Sequence, residues 1–190
     1  IRPASNLLLA VGKLRELGVK LSPESRILDV GCGSGKFLHI LREIGFKDLT
    51  GIDPYITKSI EKDGLRILKM TLDELSDDEK FDLIVFNHSL EHIPNQLDTL
   101  VKVSKLLSKN RICLIRIPIK TEYVWQRYGV YWVQIDAPRH FFIHTVKSFN
   151  ILSQMAGLSI KHTYFDSTEY LFIGSEQYKR GIPMVVAENS

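Results

Sequence analysis

The stretch Ile27-Leu28-Asp29-Val30-Gly31-Cys32-Gly33-Ser34-Gly35 decides how the rest of the chain is read. A short apolar run broken by alternating glycines reads as a buried strand and a loop, and residues 36–44 then carry helical spacing. Glycines let a backbone approach a ligand closely and adopt positive φ, while the N–H groups at the start of the helix face the loop's contents. A nucleotide-like cofactor is the expected tenant.

Working outward, residues 5–17 place Leu7, Leu8, Val11, Leu14 and Leu17 on one helical face, with Gly18 as a stop. Residues 26–30 form the first strand. The second, residues 49–53, ends in the acid Asp53, and Pro54 enforces a turn after it. A short helix over 57–62, a third strand over 66–70 and a helical turn over 73–75 follow. Residues 81–86 form a fourth strand, 96–107 a helix and 111–117 a fifth strand rich in branched residues. This alternation predicts an α/β fold, a doubly wound Rossmann-like, mostly parallel sheet flanked by helices, within a single domain spanning 1–190.

Periodicity stops over residues 118–144, which hold Tyr123, Trp125, Tyr128, Tyr131, Trp132, Phe141 and Phe142. Long insertions of this kind are usually lids or binding loops, and this one follows the C-terminal end of a strand, where open α/β sheets bind ligands. A substrate lid is expected there, with an oligomer contact as the competing reading. Thr145 caps the next helix, whose core face is Val146, Phe149, Leu152 and Met155 and which Gly157 closes. Residues 158–165 read as a sixth strand. The tail, 166–190, shows no convincing seventh.

Composition narrows the function classes. The chain has 190 residues, 44% hydrophobic and 25% charged, with a formal net charge of +3. Its basic residues are scattered rather than clustered, which disfavours a nucleic-acid partner. Cys32 and Cys113 have neither metal-like spacing nor a disulfide framework, so two free thiols in a cytoplasmic protein are expected. No apolar stretch approaches the roughly 20 residues that span a bilayer, and no signal-peptide pattern stands at the start. The sequence opens at Ile1 rather than Met, which leaves room for a preceding segment.

A dinucleotide site wants G-x-G-x-x-G, and Lys36 occupies the place of its third glycine. Over residues 26–165 the chain instead resembles the class I S-adenosylmethionine (SAM)-dependent methyltransferases, through I-L-D-V-G-C-G-S-G, G-I-D-P and F-D-L-I-V-F-N-H-S-L-E-H-I-P. The resemblance implies that Gly31, Cys32, Gly33, Ser34 and Gly35 wrap the methionine and ribose parts of the cofactor. It also implies that Asp53, beside Pro54, accepts hydrogen bonds from both ribose hydroxyls. Thr71 and Leu72 would flank the adenine, while Asn87, His88 and Ser89 would line the floor under the sulfonium. Physical sense agrees: a carboxylate satisfies a diol well, and Asp29 at the head of the loop suits a cation. The chain departs from the family at Thr71, where many members carry an acid. At Ser108-Lys109-Asn110 it lacks the usual Pro-Gly-Gly, although Asn110 can take the left-handed turn.

Methyl transfer needs an acceptor held in line, and a hydroxyl acceptor also needs a base. Asp136-Ala137-Pro138-Arg139-His140 resembles a D-x-P-R-H segment of methyltransferases associated with sugar and polysaccharide modification. His140 is the candidate base or positioning residue, His88 a second, and Arg139 a clamp for phosphate or carboxylate. Each has a structural alternative: packing or helix capping for His140, an ordinary ion pair for Arg139. His88, Glu91 and His92 invite a metal reading, but a structural role at the helix start is favoured and no metal is expected. The expected activity is therefore O-methylation of a small molecule or carbohydrate precursor. A catalytically silent SAM-binding module and an RNA methyltransferase are the alternatives.

Overall fold

The computed structural model describes Gly12 and residues 19–182, so the helix expected over residues 5–17 lies, Gly12 apart, outside the described residues. The chain divides into two compact units, residues 1–117 and 118–190.

The first unit holds an α/β sheet. Its strands are β1 (Arg26–Val30), β2 (Asp48–Ile52), β3 (Ile60–Lys62), β4 (Leu65–Leu68), β5 (Phe81–Asn87) and β6 (Leu107–Arg116), arranged β3-β4-β2-β1-β5-β6. All pairings are parallel except β3 with β4. Helix α1 (Lys36–Glu43) follows the glycine loop and α2 (Gln96–Leu106) precedes β6. From α1, Phe37, Leu38 and Leu41 pack with Ile27, Leu49, Leu65, Ile67, Leu83 and Val85 from one face of the sheet. Leu28, Ile52, Ile84 and Phe86, alternating with that set, are buried as well. Burial on both faces is what turns parallel strands into near-continuous apolar runs.

Polar groups tie the strand beginnings together. Arg26 bridges Asp48 at 3.1 Å and Glu79 at 2.5 Å, and its backbone N–H donates to Asp82 at 2.9 Å. Arg111 pairs with Asp82 at 2.8 Å, and Arg66 reaches both Glu79 and the Thr50 hydroxyl. With β1, β2, β4, β5 and β6 cross-linked on this side, the opposite ends of β1, β2 and β5, which carry the candidate site, are held in register.

Three expectations for this unit need correction. The helix expected over 57–62 is absent: residues 60–62 form β3, which turns through Asp63-Gly64 into β4. Asp63 and Gly64 have φ of 50° and 78°, the positive values that a two-residue hairpin turn demands and that Asp-Gly supplies. Strand β4 accordingly spans 65–68 rather than 66–70. The fifth parallel strand, β6, starts at Leu107 rather than at 111, passing through an irregular register opposite Phe81 and Leu83. Asn110 does take the left-handed conformation, at φ 59°.

The second unit is helical. Helix α3 (Glu122–Tyr128) is capped by the Thr121 side chain, which accepts from the Val124 N–H, and two 3-10 turns follow it, Gly129–Tyr131 and Val133–Ile135. Helices α4 (Val146–Met155) and α5 (Glu169–Lys179) complete the unit. Its core is Val124, Tyr128, Trp132 and Leu171, with Ile135 and Ile143 against it. The segment over 118–144 is thus not structureless. Its aromatics divide: Tyr128 and Trp132 are buried, whereas Tyr123, Trp125, Tyr131, Phe141 and Phe142 are exposed. Thr145 caps α4 by accepting from the Ser148 N–H at 3.0 Å, and Gly157 closes it at φ 76°. Its buried positions, however, are Ser153 and the following Ala156, while Val146 and Met155 are exposed. Residues 158–165 form no strand, because branched and aromatic residues make a strand only where a partner ladder receives them.

The hairpin turn yields a stability prediction. A Cβ at Gly64 would overlap the Lys47 carbonyl oxygen in a backbone region that L-residues rarely adopt. Gly64→Ala should therefore cost about 2–4 kcal/mol in urea unfolding. A loss below about 0.5 kcal/mol, the range of neutral surface changes, would contradict this turn.

Candidate active site

The site is built where β1, β2 and β5 end. Val30 closes β1, and the chain turns sharply at Gly31, whose N–H donates to the Ile52 carbonyl at 2.8 Å. Gly31, Gly33 and Gly35 have φ of 75°, 54° and 76°. Two of them also have neighbours too near for a side chain. A Cβ on Gly31 would overlap the Ser89 side chain, and one on Gly35 would overlap Ile67. Ser89 is locked in turn, its hydroxyl donating to the Val30 carbonyl at 2.5 Å. The loop that follows β5 therefore sits directly against the loop that follows β1.

Two carboxylates flank the glycine loop. Asp53, half-buried after β2, accepts from the Gly33 N–H at 3.0 Å and from the Tyr55 N–H at 2.8 Å, one bond to each oxygen. A carboxylate oxygen carries two lone pairs, so each retains capacity for a further donor. Asp29 is 3% exposed, and its Oδ1 has no hydrogen-bond partner among the described residues. Burial first, and the Asp53 charge second, push its carboxyl up to about 7. Cys32 lies in the same neighbourhood. Burial, with the Asp29 and Asp53 charges next, pushes its thiol up to about 12, so it is an inert thiol rather than a nucleophile.

At the end of β5, the Asn87 side-chain oxygen accepts from Arg116 at 2.8 Å. His88 is a left-handed non-glycine residue at φ 57°, its N–H bonded to the Arg116 carbonyl at 2.9 Å. Its Nδ1 lies 3.4 Å from Oε1 of Glu91, a carboxylate whose side chain is 1% exposed. A non-glycine residue held at positive φ stores strain of about 1–3 kcal/mol, and such residues cluster at functional sites. Thr71, after β4, is exposed and occupied locally: its N–H and hydroxyl both donate to Glu74, at 2.7 and 2.9 Å. Leu72 beside it is buried.

The structure thus gathers Asp29, Gly31, Cys32, Gly33, Ser34, Gly35, Asp53 with Pro54, Asn87, His88 and Ser89 around the ends of three adjacent strands. Thr71 and Leu72 follow the neighbouring strand β4. Arg139 and His140 belong to the second unit. There Arg139 pairs with Asp136 at 2.6 Å, and His140 Nδ1 lies 2.8 Å from the Gln134 carbonyl oxygen. Sequence reasoning missed Gly51, inside β2, where a Cβ would come within 2.6 Å of both Cys32 Sγ and Leu38 Cδ1. A glycine within a strand is the signal of such a close approach. It also missed Arg116, which fixes Asn87.

The chain belongs to the methyltransferase domain family: the profile described as "Methyltransferase domain" matches residues 6–163. It is 30% identical over 105 residues to a ubiquinone biosynthesis O-methyltransferase of Rickettsia prowazekii (strain Madrid E), covering 51% of this chain and 41% of that protein. Among solved structures it is similar to magnesium protoporphyrin IX methyltransferase (ChlM) from Synechocystis PCC 6803 with bound S-adenosylhomocysteine (SAH). The TM-score is 0.65 at 18% identity, over 88% of this chain and 78% of that one. It is also similar to the cyclopropane synthase MmaA2 from Mycobacterium tuberculosis, with a TM-score of 0.64 at 16% identity, over 92% and 66% of the two chains. Among the described residues no helix is long and apolar enough to cross a membrane.

Asp29 makes stability depend on pH. Its folded value, about 7, lies above the ordinary 3.8, so the folded state holds the proton more tightly. Its contribution is fully present below about pH 4 and is lost as pH rises through 7. Asp29→Asn, neutral throughout, should raise Tm relative to the parent above about pH 7 and much less near pH 4, in thermal unfolding of the ligand-free protein across that range. A Tm difference independent of pH would show that Asp29 is ordinarily ionised.

Proposed function

We propose that this chain is a SAM-dependent methyltransferase acting on an oxygen of a small-molecule acceptor, with carbohydrate precursors among the candidates. The observation that carries the reading is the pair of carboxylates, Asp29 and Asp53, flanking a loop whose glycines exclude side chains. A dinucleotide's pyrophosphate in that loop would face two acids. A cationic cofactor with a ribose diol is matched to them. Asp53 would take the ribose hydroxyls on its remaining lone pairs, and the unpartnered Asp29 Oδ1 offers an acceptor to the cationic methionine end of the cofactor. When bound, the cofactor supplies an electrophilic methyl group.

The protein's own work is then positioning, since an in-line displacement at carbon asks little covalent help. Residues 118–144, with their exposed aromatics, would shape the acceptor side as a substrate lid. A hydroxyl acceptor must lose its proton; His140 is the proposed base or positioning residue, with His88 the second candidate and Arg139 an anion clamp. The name of the Rickettsia relative, an O-methyltransferase, supports oxygen as the acceptor atom. The carbohydrate reading rests on the Asp136 to His140 segment.

Calorimetry with SAH tests the cofactor. The parent should bind it, and Asp53→Ala should weaken binding by about 1.5–3 kcal/mol, the worth of hydrogen bonds to a charged group. Gly31→Ala should abolish binding, because the new methyl group and Ser89 cannot both be accommodated. A folded parent without affinity for SAM or SAH overturns the proposal.

A further inference from the structure

A shallow cavity of about 560 Å³ opens in the second unit, between the first turns of α4 and residues 160–163. Its walls bring together Lys147 and Lys161 with Asn150, His162 and Thr163, beside the apolar Ile160. Two other cations of this unit are paired, Arg127 with Glu176 at 3.1 Å and Arg139 with Asp136. No carboxylate pairs with Lys147, Lys161 or His162 among the described residues.

Two ammonium groups lining one cavity without an acid between them raise the local potential, and an anion relieves it. The start of α4 adds to this. First-turn N–H groups have no acceptor within their own helix, and the Thr145 hydroxyl takes that of Ser148; the positive end of the helix lies beside Lys147, with Val146 and Lys147 of its first turn in the cavity wall. Asn150, His162 and Thr163 supply further hydrogen-bonding groups to fix orientation. The volume exceeds what one phosphate fills and falls in the range of about 300–1,000 Å³ occupied by small ligands.

We propose that this cavity binds the phosphate or diphosphate group of a phosphorylated ligand, with Lys147 and Lys161 as the charged contacts and Asn150, His162 and Thr163 as hydrogen-bonding partners. The inference concerns side chains remote in sequence from the glycine loop and does not rest on the methyl-transfer reading.

Titration with inorganic pyrophosphate, followed by calorimetry and by amide NMR shifts at residues 145–150 and 160–163, tests it. The parent should show saturable binding centred on those residues. The double substitution Lys147→Ala/Lys161→Ala should weaken it at least about tenfold, or 1.4 kcal/mol. Both lysines are exposed, so the variant should keep the parent's Tm and its response to SAH, which separates loss of this site from loss of the fold or of the cofactor reading. ADP and vesicles of phosphatidic acid in phosphatidylcholine identify the source: displacement of pyrophosphate by ADP supports a soluble ligand, and lysine-dependent co-sedimentation supports a lipid headgroup. No saturable binding by the parent, equal binding by the double variant, or binding of single-stranded RNA without binding of pyrophosphate overturns the proposal.

Discussion

The candidate site depends on how closely two loops approach. Where β1 and β5 end, Gly31 and Ser89 stand so near that no side chain fits at the glycine, and the Ser89 hydroxyl ties the second loop to the last carbonyl of the first strand. Gly31 also takes positive φ, and the chain turns toward β2, where Ile52 and Asp53 receive the N–H groups of the loop. One steric condition thereby places the Asp53 carboxylate, the loop amides and the β5 terminus around a common point. Glycine is required there by geometry as well as by conformational freedom.

The site end of the sheet contrasts with its opposite end. Where the strands begin, the charges of Arg26, Arg66, Arg111, Asp48, Asp82 and Glu79 are mutually compensated. Where they end, Asp29 is buried with an oxygen that no described group satisfies, Asp53 lies near enough to raise its proton affinity, and His88 sits in a strained conformation. Stability is concentrated at one end and unspent hydrogen-bonding capacity at the other. That division is expected of a scaffold that presents a site.

Much of this could be read from the sequence because the signals were local. The apolar run and its glycines gave β1, the loop and α1. Asp53 before Pro54, the αL-tolerant Asn110 and the Thr145 cap each act within a few residues of themselves. Features set by distant partners were harder to read. Asp63-Gly64 is a hairpin dipeptide, but the preceding residues offer no alternation to mark β3, which is exposed throughout. Residues 158–165 have strand-like composition and no ladder to join. Helix α3 hides among irregularly spaced aromatics, with Thr121 as its one clear signal. Gly51 carries a packing role that appears only when Cys32 and Leu38 are seen against it. The groups that would hold a methyl acceptor are the least legible part, since no local spacing separates such a role for His140 and Arg139 from the contacts they make with Gln134 and Asp136.

The short strand β3 has a consequence for how the molecule meets its neighbours. An outer strand with free backbone groups is a template on which another chain can polymerise. Here that position at the β3 side is held by three exposed residues, two of them the oppositely charged Glu61 and Lys62, ended by a tight turn. So brief and polar a border gives an incoming strand little to align with and requires charges to be stripped of water. The hairpin that replaces the expected helix therefore serves as a terminus for the sheet, limiting its growth into aggregates from that side.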